Sequence, residues 1–161
     1  MQLNYLVRQL PTRGVHTLSP QEMALLGLKS GDPLPSGGYS LMVTVQSGSG
    51  TADRWTKMFG PVFAARCGIS LHPGSLNLWA DNNISWDGPR EMSVGATTGE
   101  FCPVILEELA VGVAFRVNRE TPRYLETMSP RSLRSHLNLR DGQRIAVRLL
   151  PGAALGERLR T

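Results

Sequence analysis

Alternation of apolar and polar positions dominates this chain, and it predicts mostly short strands. Tyr39 to Val45 alternates as a half-buried strand does, and Leu76 and Leu78 alternate with Ser75 and Asn77. Phe101 to Leu109 and Val111 to Val117 read as two apolar strands paired through a short connection, and Arg144 to Leu150 alternates again after the tight turn Leu139 to Gln143. Met1 to Leu10 is a further candidate strand. Helical spacing is rarer. Ser19-Pro20-Gln21-Glu22 has a capping serine, a proline suited to the first helical position and a glutamate three residues after the cap. The helix it opens would run through Met23, Leu25 and Leu26 and stop near Gly27. Trp55, Met58, Phe59, Val62 and Phe63 recur three and four apart, so they lie on one helix face, with Asp53 as the cap, a kink or restart at Pro61 and an end at Cys67-Gly68. That aromatic stripe is expected to be core rather than a stacking platform. Ser129-Pro130 predicts a second short helix holding Arg131, Leu133, Arg134 and Leu137.

Between these elements the chain is rich in turn formers. Lys29 to Gly38 reads as a loop, Trp79 to Gly88 as a polar turn, Arg119 to Pro130 as a mixed segment and Pro151 to Thr161 as a tail. The division that follows is an N-terminal extension over 1–38, one domain over 39–150 and a C-terminal tail over 151–161. With 17 Gly and 11 Pro in 161 residues, many turns and short strands are favoured over long helices. A net charge of +4 suits an anionic ligand such as a nucleotide and also suits nucleic acid, so charge alone does not choose.

Cys67 and Cys102 form no CxxC and have no zinc-type spacing with His16, His72 or His136. They read as reduced, buried thiols of a cytoplasmic protein, with one disulfide between them as the alternative. The sequence begins without a basic-then-apolar leader and contains no run of about 18 apolar residues, so neither secretion nor membrane insertion is expected.

Candidate chemistry centres on His72-Pro73-Gly74-Ser75-Leu76-Asn77-Leu78. On a strand, Ser75 and Asn77 share the face opposite the two leucines, presenting a hydroxyl and an amide oxygen. Such neutral hard ligands can hold magnesium together with water and phosphate oxygens. They can equally be the wet face of a half-buried strand. Ser47-Gly48-Ser49-Gly50-Thr51 could bring backbone N–H groups close to an anion, although it is neither a Walker loop nor a complete dinucleotide fingerprint. Arg131 and Arg134, near a helix start, suit a polyphosphate or a solvated basic face. The Asp81 to Asp87 turn lacks the acidic spacing of a calcium loop.

Gly74-Ser75-Leu76-Asn77-Leu78 resembles the Gly-Thr-Leu-Asn-Leu motif of the CTP-dependent riboflavin kinases typical of archaea. Ser129-Pro130-Arg131-Ser132-Leu133-Arg134, followed by Asn138-Leu139-Arg140-Asp141-Gly142, resembles that family's C-terminal helix, turn and last strand. The resemblance spans roughly residues 40–150 and is specific in those two regions. It implies a mainly β fold with short helices, a six-stranded cradle-loop β-barrel of the riboflavin kinase type. It also implies transfer of the γ-phosphoryl group of CTP to riboflavin, giving FMN and CDP.

By the same resemblance Ser75 and Asn77 stand where the family's Thr and Asn bind Mg2+. Gly48, Ser49, Gly50 and Thr51 match the loop that wraps the nucleotide, with Ala52 and Asp53 where a later glycine would be. Arg131, Ser132, Leu133 and Arg134 match its second nucleotide-binding segment, and Thr121 and Glu126 match the residues that bind the flavin. Glu126 is also the one candidate for a catalytic carboxylate, with orientation of the flavin as its favoured role. The stretch from Thr121 to Glu126 is shorter than the family's, and the first 38 residues have no clear counterpart there. A cytoplasmic monomer is expected. The alternatives are a non-catalytic flavin- or nucleotide-binding barrel and, less favoured, a nucleic-acid-binding barrel; the chain lacks strands that interleave Lys/Arg with aromatics to stack bases.

Overall fold

The computed structural model describes residues 18–29, 31–47, 52–84, 90–117 and 123–150, with backbone alone for Ala52 and Arg90. The strands are β1 (Tyr39–Gln46), β2 (Leu76–Ala80), β3 (Arg90–Val94), β4 (Thr97–Leu106), β5 (Ala110–Arg116), β6 (Tyr124–Met128) and β7 (Arg144–Leu149). Helices α1 (Pro20–Leu25), α2 (Ala52–Cys67) and α3 (Leu133–His136) accompany them. Every strand pairing is antiparallel, in the order β4-β5-β6-β2-β1-β7, and β7 pairs back onto β4 from Val104↔Leu149 to Leu106↔Val147. The sheet thereby closes into a six-stranded barrel, and β3 adds to β4 outside the ring. The expected mainly β barrel with short helices is the fold found.

Period-two alternation places Val43, Val45, Leu76, Leu78, Leu125, Ile145 and Val147 inside the barrel. A second cluster covers the outer side of β4 and β5. There Phe59 and Phe63 of α2 pack on Phe101 and Phe115, with the Phe59 and Phe101 ring centroids 5.0 Å apart and edge to face. Burial of each such ring contributes about 1.5–3 kcal/mol, so the aromatic stripe is core, as its spacing predicts. Both cysteines are free thiols; Cys102 is buried, and loss of solvation pushes its pKa up to about 12, while Cys67 is half-buried.

Helix α1 starts as its sequence dictates. The Ser19 hydroxyl accepts from Glu22 N, and the Glu22 carboxylate accepts from Ser19 N. The carboxylate then goes further than capping. It is fully buried, accepts the Val111 amide of β5 at 2.8 Å and pairs with Arg131. Part of the N-terminal extension is therefore packed onto the barrel wall.

Three local expectations need correction. Helix α2 continues through Pro61 rather than restarting there; Pro61 and Lys57, whose carbonyl loses its partner, are both exposed. Asp53 lies in its first turn rather than at the cap and pairs with Lys57 at 2.8 Å. Helix α3 begins at Leu133, not at Ser129-Pro130. The buried Ser129 hydroxyl instead donates to the Val111 carbonyl and accepts from Arg131 N, which turns the chain before the helix can start. The mixed segment before it contains β6. The candidate strand at Met1–Leu10 and the tail at 151–161 lie outside the described residues.

Candidate functional site

Register decides what surrounds the Ser75–Asn77 stretch. Strand β2 lies between β1 and β6, with Gln46↔Asn77 on one side and Asn77↔Glu126 and Trp79↔Tyr124 on the other. Leu76 and Leu78 point inward, as expected, so Asn77, Trp79, Tyr124 and Glu126 share the outer face. That face is not simply wet at Asn77, which is only 6% exposed.

A compact oxygen network occupies the position. Ser75 Oγ donates to Glu126 Oε2 at 2.7 Å, and the Tyr124 hydroxyl contacts both Glu126 Oε1, at 2.9 Å, and Asn77 Oδ1. Burial, then the negative charge of Glu126 and the hydrogen bond to it, raise the Tyr124 pKa well above the ordinary phenol value. Tyr124 thus remains a donor at neutral pH. Three acceptor oxygens, one amide and two carboxylate, share two hydroxyl protons. One oxygen is therefore short of a donor within the network, and all are hard ligands. The donor set fits a small divalent cation, although the described residues hold no group of three His, Cys, Asp or Glu side chains suited to a metal.

Beside this network is a cleft of about 160 Å3 whose walls come from distant parts of the sequence: His72 to Leu76 on one side and Ser129 together with Arg131 to Arg134 on the other. His72 N donates to the Ser129 carbonyl at 2.8 Å, tying the walls together. Ser75 belongs to both the cleft and the network.

The two arginines at the cleft are held differently. Arg131 reaches the buried Glu22, and one of its terminal nitrogens lies 3.2 Å from His136 Nδ1. Arg134 donates to Asp141 Oδ1 at 2.7 Å and to the Gln46 carbonyl at 3.0 Å. Asp141 also accepts from Ser47 Oγ, and these bonds, Ser47 first and Arg134 second, hold its carboxyl below the usual range. The two arginines do not share a helix face, because Arg131 precedes α3.

The glycine-rich candidates Gly48, Ser49, Gly50 and Thr51, and the flavin candidate Thr121, lie outside the described residues, as does the side chain of Ala52. Both flanks of the loop are placed, however. β1 ends at Gln46 opposite Asn77, and near the start of α2 the Thr56 hydroxyl accepts Gly74 N at 3.2 Å.

Tyr124 and the long-range partners of Glu22 and Asp141 were not legible in the sequence. Tyr124 had a signal in its alternation with Glu126, but only once 124–128 is recognised as a strand. A second hollow of about 410 Å3 lies at the other end of β1, among Tyr39–Met42 and Asp81–Ile84. Its carboxylate, Asp81, is engaged by Arg144. No family model matches the chain, and no curated protein matches it significantly.

Proposed function

We propose that this protein is a CTP-dependent riboflavin kinase, transferring the γ-phosphoryl group of CTP to the ribityl 5′-hydroxyl of riboflavin to give FMN and CDP. The observation that carries the reading is the convergence of the two resembling segments. His72–Leu76 and Ser129–Arg134, far apart in sequence, line one cleft on a closed six-stranded barrel, with Ser75 linking that cleft to Asn77, Tyr124 and Glu126.

Ser75 Oγ, Asn77 Oδ1 and the Glu126 carboxylate are the groups that would hold Mg2+. Bound there, the ion supplies charge neutralisation for the phosphate oxygens. Tyr124 is a positioning residue: its hydroxyl fixes Asn77 and Glu126 relative to each other. Glu126 accepts hydrogen bonds and is suited to orienting the acceptor hydroxyl, since phosphoryl transfer rests on placement more than on a strong base. Arg131 and Arg134 line the cleft with their geometry fixed by Glu22 and Asp141, so their guanidinium charges can meet the nucleotide without being ordered first.

Charge balance favours a second reading, a barrel that binds flavin or nucleotide without turnover. Glu22 and Asp141 already offset the two arginines, and Asp53 stands in the first turn of α2. Nucleic acid fits less well, because Arg144 and Arg148 are likewise engaged by Asp81 and Glu108. No helix among the described residues is long and apolar enough to cross a membrane.

The deciding experiment incubates the full chain with riboflavin, magnesium and CTP or ATP, separates the flavins chromatographically, and titrates riboflavin alone in parallel. The kinase reading expects FMN with CTP. Riboflavin binding without FMN selects the binding-only barrel, and binding of single-stranded oligonucleotide alone rejects both.

A further inference from the structure

Asn77 and Ser75 reach the oxygen network by different means. Asn77 lies within the β2 ladder, opposite Gln46 and Glu126, so the sheet sets its place. Ser75 precedes β2, which begins at Leu76, and depends on the turn before it. That turn passes through Gly74 at φ +100°, a left-handed conformation that L side chains rarely adopt. An added Cβ there would meet nothing within 4 Å, so conformation and not space calls for the glycine. Glycine leaves the backbone free to swing, and hydrogen bonds must hold such a turn.

His72 N donates to the Ser129 carbonyl on one side of the turn, and on the other Gly74 N donates to Thr56 Oγ1 at 3.2 Å. Thr56 lies near the start of α2 and is buried, at 7% exposure. Its hydroxyl proton goes to the Asp53 carbonyl at 3.1 Å, which leaves the oxygen lone pairs for Gly74. Within α2 alone a threonine is a poor choice, because branching lowers helix propensity and a bond to the carbonyl three residues back gains the helix little. Valine would fill the same space and offer Gly74 no acceptor. The contacts therefore run from Thr56 through Gly74 to Ser75, and from Ser75 Oγ to Glu126 Oε2 at 2.7 Å.

Resting on the kinase reading above, we propose that Thr56 is a positioning residue of the phosphoryl-transfer site, acting through the Gly74 turn to aim the Ser75 hydroxyl. It touches neither metal nor substrate. Its hydroxyl fixes the one proposed oxygen ligand that the sheet does not fix, so the site need not order Ser75 each time a metal ion arrives. Helix α2 thereby contributes to the site through its first turns as well as to the core through Phe59 and Phe63.

The test is a double-mutant cycle in the full chain with Thr56→Val, Ser75→Ala and the two combined, and with Thr56→Ser as the conservative variant. Manganese, standing in for magnesium, is titrated by electron paramagnetic resonance with CDP present. FMN formation is followed against magnesium concentration, and riboflavin affinity and the urea midpoint are measured alongside. Thr56→Val should weaken manganese binding and raise the magnesium needed for half-maximal turnover, each about three- to tenfold, the scale of one neutral hydrogen bond. Thr56→Ser should keep the wild-type values, and riboflavin affinity should hold in both. In the Ser75→Ala background Thr56→Val should change neither metal reading further, whatever it does to the urea midpoint. Unchanged metal dependence in Thr56→Val overturns the assignment and leaves the kinase reading in place. A full additional loss in the double variant overturns it too, since Thr56 would then act on the fold and not through Ser75. Manganese binding by wild type without FMN formation overturns the kinase reading, and the manganese cycle then decides the role of Thr56 by itself. A wild type that binds no manganese overturns both.

Discussion

Glu22 and Glu126 are two carboxylates withdrawn from bulk water in very different company. Glu22 is fully buried and meets two backbone amides, Ser19 N at 3.0 Å and Val111 N at 2.8 Å, as well as the Arg131 guanidinium. Every one of those donors is fixed by secondary structure or by a charged partner, so the group is saturated and serves the architecture. Glu126 is half-buried and meets only two hydroxyls, those of Ser75 and Tyr124. Hydroxyls rotate, and the Tyr124 proton is contested by Asn77, so this site can exchange an internal bond for a ligand at little cost. The difference lies in the donors. A saturated carboxylate holds the fold together, and an under-supplied one is available for chemistry.

Conservative amide substitutions should separate the two most sharply. In Glu126→Gln, FMN formation should fall about a hundredfold or more while the denaturation midpoint stays near wild type, since no saturated pair is broken. A large loss of stability there would erase the contrast. Glu22→Gln should do the reverse. It leaves Arg131, itself 29% exposed, without its counter-charge, and should cost about 2–3 kcal/mol in urea denaturation after allowance for that exposure. Turnover per folded molecule should persist at low temperature.

Asp141 supplies the smallest expected effect, as an exposed carboxylate in a similar pairing with Arg134. Its lowered pKa means that its stabilising contribution is present above the ordinary Asp range and is lost as pH falls through the lowered value. Asp141→Asn should therefore lower the melting temperature slightly at pH 7 and not at all at low pH. A loss as large as that of Glu22→Gln would mean that exposure does not explain the difference between these pairs.

What was legible in the sequence follows from range. The capping box at Ser19 and Glu22, the helical stripe from Trp55 to Phe63 and the inward Leu76 and Leu78 opposite Asn77 all depend on neighbours a few residues away, and the structure has them as expected. Ser75, however, precedes β2 and joins Asn77 only through Glu126 and Tyr124. The closed six-stranded barrel came from the resemblance, not from any local pattern. Tyr124 and Glu126 meet Ser75 and Asn77 only through the β2–β6 register, which local periodicity does not set. Glu22 illustrates the same limit within one residue. Its capping role is local and readable, whereas its bonds to Val111 and Arg131 require the fold. At Pro61 the helix continues instead of restarting, because a proline in the sequence does not reveal that the lost bond would fall on an exposed face.

The central claim is that the outer face of β2 and β6 is a phosphoryl-transfer site, and Asn77→Ala tests it most directly. The substitution removes one oxygen ligand while leaving Leu76 and Leu78 in the core. With riboflavin, CTP and magnesium supplied to both proteins, wild type should form FMN and Asn77→Ala should lose that activity by about two orders of magnitude or more, with riboflavin binding and the melting temperature retained. FMN formation by Asn77→Ala at the wild-type rate would contradict the account.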